Sequence, residues 1–91
     1  MSYTVSFTKP AIRSIEKLDR HTRDFLFAWI FKNLDGIIDP KMNAKSLKGP
    51  LKGLWRYRIG TYRILAEINE KEVVILILDV GHRKNIYSKK P

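Results

Sequence analysis

Residues 54–65 read LWRYRIGTYRIL and predict a β-hairpin. Aromatic and β-branched residues alternate with arginines on both sides of Gly60-Thr61, which is the pattern of two strands joined by a two-residue turn. A turn that begins on glycine suits type II′ and fixes the register of the two strands. The expected cross-strand pairs are Ile59 with Tyr62, Arg58 with Arg63, Tyr57 with Ile64, Arg56 with Leu65, and Trp55 with Ala66.

This register gives the hairpin one apolar face and one basic face. The basic face carries Arg56, Arg58 and Arg63, and it sets Arg58 directly opposite Arg63. Like charges in opposite positions destabilise a strand pair by roughly 0.2–1 kcal/mol. An anion between the two guanidiniums would reverse that effect, because arginine binds phosphate or carboxylate in a bidentate manner. We therefore expect an anion-binding face, and the alternative is a solvated basic face whose side chains splay apart.

The rest of the chain predicts an α+β fold in a single domain, residues 1–91. Residues 2–7 alternate as in a strand, Thr8 and Asp19 are suitable N-caps for helices over about 9–18 and 19–34, and residues 35–53 form a connection. Strands are expected at 54–59, 62–68 and 73–80. The order β-α-α-β-β-β predicts a mainly antiparallel four-stranded sheet with the two N-terminal helices packed on one face.

The last strand, VVILILDV (73–80), is apolar on both faces and is therefore expected to be central. We expect Val73 opposite Ile68, with Gly81 ending the strand. The residues expected at the rim of the basic face are then His82, Arg83 and Tyr87.

The second helix contains FLFAWIF (25–31) and is more apolar than contact with one sheet requires. Leu26, Ile30 and Leu34 share a face that we assign to the core. Phe25 and Trp29 lie on a flank. That excess predicts either a helix pair over the sheet or a hydrophobic patch for a protein partner.

Charge is unevenly distributed along the 91 residues, whose net charge is +9. Residues 1–40 carry +1 and residues 41–91 carry +8, so the second half predicts a surface for a polyanion. The absence of cysteine excludes disulfides and thiolate metal ligands. The N-terminus lacks the apolar core of a signal peptide and no stretch is long enough to span a membrane, so we expect a cytoplasmic protein.

The segments LKGPLKGLWRYRIGTYRILAEI and VVILILDVGHRKNIY resemble the RelE/ParE superfamily of toxin–antitoxin toxins, and its RelE branch in particular. The resemblance spans nearly the whole chain. It implies a type II toxin that enters the ribosomal A site and cleaves mRNA there without a metal or other cofactor, by attack of the substrate 2′-hydroxyl on its own 3′-phosphate. It also implies two partners, a cognate antitoxin and the ribosome with its mRNA.

The resemblance assigns roles to individual residues. Arg63 matches the transition-state arginine, Arg83 the arginine after the last strand, and Tyr87 the tyrosine that stacks on or orients the cleaved base. Arg56 and Arg58 stand where RelE proteins commonly carry lysines; a guanidinium is a poor proton acceptor, so we take His82 as the best titratable candidate, with a simple phosphate contact as the alternative. The expected sets are catalytic Arg58, Arg63, His82, Arg83 and Tyr87, RNA-binding Lys48, Lys52 and Arg56, and antitoxin-binding Phe25 and Trp29.

Two other functions stay open at this point. One is a ParE-like inhibitor of DNA gyrase, which has the same fold and needs no catalytic residues. The other is an RNA-binding module that leaves its RNA intact and binds it with a steep salt dependence.

Overall fold

The computed structural model describes residues 2–82 and contains two helices and five strands. The elements are β1 (Thr4–Phe7), α1 (Lys9–Glu16), α2 (Arg20–Asn33), β2 (Ala44–Ser46), β3 (Trp55–Ile59), β4 (Tyr62–Asn69) and β5 (Val74–His82), with a 3₁₀ turn at Gly49–Leu51. The strands form one sheet in the order β1-β5-β4-β3-β2. β1 runs parallel to β5, and the other neighbouring pairs are antiparallel. The predicted α+β class and the mainly antiparallel sheet are confirmed.

The sheet has five strands, so the predicted number of four was wrong. The additional strand, β2, pairs antiparallel with β3 and sets Ala44 opposite Tyr57 and Lys45 opposite Arg56. Its sequence, Ala-Lys-Ser, has none of the β-branched or aromatic residues that mark strands, and it is three residues long. It forms because β3 offers an edge for pairing, which is a tertiary cause that local sequence does not record.

Both helices begin at the predicted caps. The Thr8 hydroxyl accepts a hydrogen bond from the Ala11 backbone N–H at 3.2 Å, and the Asp19 carboxylate accepts one from the Thr22 N–H at 3.1 Å. These side chains satisfy donors that a helix start leaves without an intrahelical partner. The hydrogen bonds from Thr22 also lower the pKa of Asp19.

The helices cover one face of the sheet, as predicted. In α2, Leu26 and Ile30 are fully buried, and Leu34 at its C-terminal end is 1% exposed. They form one apolar cluster with α1 and the sheet, whose other members are Ala11, Ile15, Tyr57, Ile59, Ile64, Ala66, Ile75, Ile77 and Val80. Every sheet residue in that cluster lies on the same face. The opposite face of β3 and β4 is therefore the one that carries the arginines.

The predicted hairpin register is confirmed at all five positions between β3 and β4. Gly60, the first turn residue, has a φ of 58°, a left-handed conformation that glycine adopts without a steric penalty. Alternation then sorts the side chains, because neighbouring strand residues project to opposite faces. Tyr57 is buried and donates its hydroxyl to the Pro40 carbonyl at 2.5 Å, while Arg58, the next residue, is exposed.

The pairing of β4 with β5 departs from the prediction in two ways. Ile68 pairs with Ile75 rather than Val73, because Val73 belongs to the turn and has a φ of 59°. A shift of two residues keeps each side chain on its expected face. The strand also contains a β-bulge, and it continues to His82, so the expectation that Gly81 ends it was wrong.

Within residues 2–82, no helix is long and apolar enough to cross a membrane.

Candidate nucleic-acid interface

The face of the sheet opposite the helices carries four cations in two adjacent cross-strand pairs. Lys45 of β2 lies opposite Arg56 of β3, and Arg58 of β3 lies opposite Arg63 of β4. Paired residues project to the same side of a sheet, with Cβ atoms roughly 4.5–5.5 Å apart. We call the surface formed by these four residues the arginine face. The sequence predicted its three arginines together, and the structure places them there.

The two members of the Arg58–Arg63 pair differ in exposure. Arg58 is exposed, whereas Arg63 is 6% exposed and its Nη1 donates a hydrogen bond to the Tyr62 carbonyl at 3.3 Å. Removing a guanidinium from water is costly unless its N–H groups are bonded. Arg63 is consequently a cation held in the sheet surface, and Arg58 is a solvent-exposed cation beside it. Such a pair can bind an anion between a guanidinium fixed in the sheet and one that faces solvent.

Lys45 is a member of this surface that sequence reasoning did not identify. It lies within the predicted connection 35–53, since the strand that carries it has no strand-like composition. Pairing of β2 with β3 brings it opposite Arg56. The lysines of this connection recur at intervals of three or four residues, which is not the period of a strand, so no local signal marks Lys45 as part of the sheet. Lys45 adds an amine to a surface otherwise made of guanidiniums.

Lys48 and Lys52 flank the 3₁₀ turn in the connection between β2 and β3, and both are exposed. Their part in RNA binding stays a prediction. The connection itself is closed by a backbone hydrogen bond from Leu47 N to the Leu54 carbonyl at 3.0 Å, which continues the β2–β3 ladder. The two lysines therefore stand at one end of the strand pair that carries Lys45 and Arg56.

His82 does not join the arginine face. It pairs with Tyr62 at the end of the β4–β5 ladder, and the two rings are 4.5 Å apart between centroids. Tyr62 projects to the same side as the core residues of β4, so the register sets His82 on the opposite side of the sheet from Arg63. Its chemical role stays a prediction. Arg83 and Tyr87, expected beside it, lie outside the described residues.

The bulge that produces this register is held by a carboxylate. Asp79 Oδ1 accepts hydrogen bonds from the Ser14 hydroxyl of α1 at 2.6 Å and from the Val80 N–H at 2.8 Å. The bulge falls between Leu65 and Ala66 of β4, where β5 has one residue more than its partner. Sequence reasoning assigned Asp79 no role, because nothing in an apolar strand marks which residue is the extra one.

The flank of α2 presents an open concavity of about 270 Å³ lined by Phe25, Ala28, Trp29, Lys32 and Asn33. Phe25 is 53% exposed, as expected for a residue that the sheet cannot cover. Trp29 is half-buried and packs partly against the core. The structure brings the two predicted partner-binding residues together in one surface.

Comparison with known proteins supplies the family. Residues 5–87 match the model of the ParE toxin of the type II toxin–antitoxin system parDE. Toxin RelG of Mycobacterium tuberculosis is 35% identical over 89 residues, covering 98% of this chain and all of that protein. Toxin RelE3 of Methanocaldococcus jannaschii is 32% identical and covers 96% of this chain and 98% of its own length.

Solved structures agree with this assignment. The toxin–antitoxin complex RelBE2 from M. tuberculosis contains a chain that superposes with a TM-score of 0.82 at 34% identity, covering 91% of this chain and 100% of that one. In the RelB–RelE complex from Methanococcus jannaschii the TM-score is 0.67 at 30% identity, with 94% and 99% coverage. The chain is a toxin of a type II toxin–antitoxin system and belongs to the ParE toxin family of the RelE/ParE superfamily.

Proposed function

We propose that this toxin is a ribosome-dependent mRNA endonuclease that cleaves mRNA in the A site and so stops translation. The observation that carries the proposal is the opposition of Arg58 and Arg63 beside Lys45 and Arg56. Folding alone disfavours this arrangement, since it concentrates like charge on adjacent strands. A phosphodiester of RNA turns the same arrangement into a binding site, because it supplies the negative charge that the face lacks. The ribosome as partner places the protein in the cytoplasm.

The proposed reaction is an internal transesterification. The 2′-hydroxyl loses its proton to a base and its oxygen bonds to the adjacent phosphorus; the bond from phosphorus to the 5′-oxygen breaks, and that oxygen receives a proton. The products are a 2′,3′-cyclic phosphate and a 5′-hydroxyl. The substrate supplies its own nucleophile, so the proposal needs no metal or cofactor.

Arg58 and Arg63 suit the electrostatic part of this reaction. Charge accumulates on the phosphoryl oxygens in the transition state, and donors fixed in advance stabilise it most. Arg63, held in the sheet, is such a donor, and Arg58 can close on the substrate from the solvent side. Arginine does not exchange protons readily near neutral pH. His82 lies on the other side of the sheet from Arg63, so the proposal assigns it no proton transfer at this face. Arg83 is proposed to supply further positive charge, and Tyr87 to stack on the base.

Cleavage of a defined mRNA on programmed ribosomes tests this function. We expect Arg63→Ala and Arg58→Ala each to slow cleavage by about 10²–10³, the usual effect of removing one transition-state donor. Arg20→Ala is the matched control: it removes the same charge from α2, where Arg20 is exposed and lies 3.8 Å from Asp24. Wild-type cleavage by Arg63→Ala would refute the catalytic assignment.

Lys48, Lys52 and Arg56 are proposed to hold the RNA rather than to react. Each phosphate contact adds to the salt dependence of binding, by a slope of about 0.7 per contact for a single strand. Alanine at these positions should weaken binding at low salt and flatten the dependence of log K on log salt. If the slope of log K against log salt is unchanged in a variant, the substituted residue does not contact an RNA phosphate.

The proposed protein partner is a cognate antitoxin. The related structures from M. tuberculosis and M. jannaschii are toxin–antitoxin complexes. We assign the concavity at Phe25 and Trp29 to an apolar segment of the antitoxin. Phe25→Ser should weaken capture of the co-expressed antitoxin, whereas Ile38→Ser should not, although Ile38 is 74% exposed. Equal capture by both variants would place the antitoxin elsewhere.

The alternative, inhibition of DNA gyrase, is favoured by the match to a ParE family model. A supercoiling assay run beside the cleavage assay separates the two functions. Loss of supercoiling with intact mRNA would establish the alternative.

A further inference from the structure

Gly81 lies inside a strand, and its conformation does not explain why it is glycine. Of the five glycines in the chain, the four at positions 36, 49, 53 and 60 have φ between 58° and 94° and need the freedom of glycine. Gly81 is in β5 and has no such angle. Glycine in the interior of a strand weakens it, because it adds backbone entropy to the unfolded chain and no side chain to the sheet.

Crowding does not explain Gly81 either. A Cβ atom built on it would meet no heavy atom of residues 2–82 within 4 Å, so within the described part of the chain a side chain would project into open space. In the ladder Gly81 is the partner of Arg63, whose other neighbour is Arg58. The row of paired residues across β3, β4 and β5 is therefore Arg58, Arg63 and Gly81, and its last position has no side chain. The protein keeps an opening beside Arg63, the most buried arginine of residues 2–82, at some cost to strand stability.

The bulge in β5 is what brings glycine to this position. Continuing the ladder from the Ala66–Ile77 pair without the extra residue would set Val80 opposite Arg63. With the bulge, Val80 turns into the core, where it is 2% exposed, and Gly81 takes the place beside Arg63. The Asp79 carboxylate, bonded to Ser14 and to the Val80 N–H, fixes the bulge. Bulges are common beside active sites, where they redirect side chains.

We propose that Gly81 is a substrate-access residue: it keeps the space beside Arg63 clear so that the sugar–phosphate backbone of single-stranded RNA can approach the sheet there. The proposal rests on the RNA-cleaving function for its substrate. A side chain at position 81 would stand with its Cβ about 4.5–5.5 Å from that of Arg63 and would occupy the volume of the phosphate. Close approach of a ligand to the backbone is a recurrent reason for glycine in a strand.

Graded substitution tests this proposal. Gly81→Ala and Gly81→Val add one and three carbons at the opening. Ser6→Val is the matched control, since Ser6 is exposed in β1 opposite Leu76 on the same face of the sheet, away from Arg63. For each protein we would measure the melting temperature, cleavage of ribosome-bound mRNA, and affinity for a single-stranded oligoribonucleotide by fluorescence anisotropy.

We expect all three variants to melt at or above the wild-type temperature, because each gains strand propensity. Cleavage should fall modestly in Gly81→Ala and by about 100-fold in Gly81→Val, the loss that accompanies displacement of a substrate by about 1 Å. Ser6→Val should cleave like the wild type. A folded Gly81→Val variant with wild-type cleavage and affinity would overturn the proposal.

The two readouts separate this inference from the function on which it rests. If the wild type binds the oligoribonucleotide but cuts no mRNA, the nuclease function is refuted. The access role of Gly81 is then tested by the oligoribonucleotide affinity alone. A weaker affinity in Gly81→Val then supports the access role, and an equal affinity overturns it. If the wild type neither cuts nor binds RNA, both proposals are overturned.

Discussion

Replacing Arg58 by threonine should stabilise this protein while impairing its activity. Arg58 lies directly opposite Arg63, which is 6% exposed. Two unit charges placed at the Cβ spacing of a cross-strand pair, about 5 Å, repel by roughly 0.8 kcal/mol in water, and salt screens part of that energy. The limited exposure of Arg63 reduces the water between the charges and strengthens the repulsion. Threonine removes the charge and keeps a β-branched side chain suited to a strand.

The expected gain is about 0.5–1 kcal/mol in the free energy of unfolding. For a chain of this size that corresponds to a rise of roughly 2–8 °C in melting temperature. Thermal unfolding at low and high salt measures it, and the gain should shrink as salt rises. Cleavage of ribosome-bound mRNA should fall by about 10²–10³ in the same variant. Opposite changes in stability and activity are the expected signature of a charge kept for function.

Glu67→Thr is the control for this experiment. Glu67 is an exposed residue of β4 on the same face, but its charge is opposite and its β5 partner is Leu76. Its removal takes an attractive charge from the arginines, so the melting temperature should stay level or fall. The reasoning is refuted if Arg58→Thr melts at or below the wild-type temperature, since the two guanidiniums would then cost the fold nothing.

Three further variants have testable outcomes. Tyr57→Phe removes the hydrogen bond to the Pro40 carbonyl and should cost about 1–2 kcal/mol of stability in a denaturant titration. Burial raises the pKa of Tyr57 to about 12, so the free energy of unfolding of the wild type should fall as the pH rises from about 10, the usual tyrosine pKa, to about 12. The Tyr57→Phe variant should lose less stability over the same range. Parallel curves of unfolding free energy against pH for the two proteins would contradict this. Lys45→Ala should lower RNA affinity and the salt slope without lowering the melting temperature, since Lys45 lies opposite Arg56; an unchanged slope would exclude a phosphate contact. Trp29→Ser should reduce both antitoxin capture and stability, because Trp29 also packs on the core. Wild-type capture of the antitoxin by this variant would place the antitoxin elsewhere.

The hairpin was predictable from sequence because two strong local signals agree. A glycine-first turn fixes the register, and strict alternation fixes the faces, so the Arg58–Arg63 pair follows by counting. Helix caps were predictable for a similar reason: Thr8 and Asp19 bond to N–H groups three residues away. The buried stripe of α2 follows from helical spacing. Each of these features depends on neighbours within a few residues.

The missed features depend on contacts between distant segments. β2 has no strand composition and exists because β3 presents an edge, so Lys45 was not predicted on the arginine face. The bulge depends on Ser14 of α1, 65 residues from Asp79, and no local pattern marks the extra residue in an apolar strand. One uncounted residue then moved His82 to the far side of the sheet. A missed bulge changes the face of every later residue in the strand, whereas a misjudged propensity affects only its own position.

The bulge is where the stabilising and the functional surfaces of this protein become linked. Along β3 and β4 the two are separate, because alternation gives the core one set of side chains and the arginine face the other. At the end of β5 a single extra residue decides three placements at once: Val80 enters the core, Gly81 opens the space beside Arg63, and His82 contacts Tyr62. The hydrogen bond between Ser14 and Asp79 therefore connects α1 to the geometry of the candidate site. A chain of this size thus uses the same carboxylate to position a helix on the core and to define the access to its buried arginine.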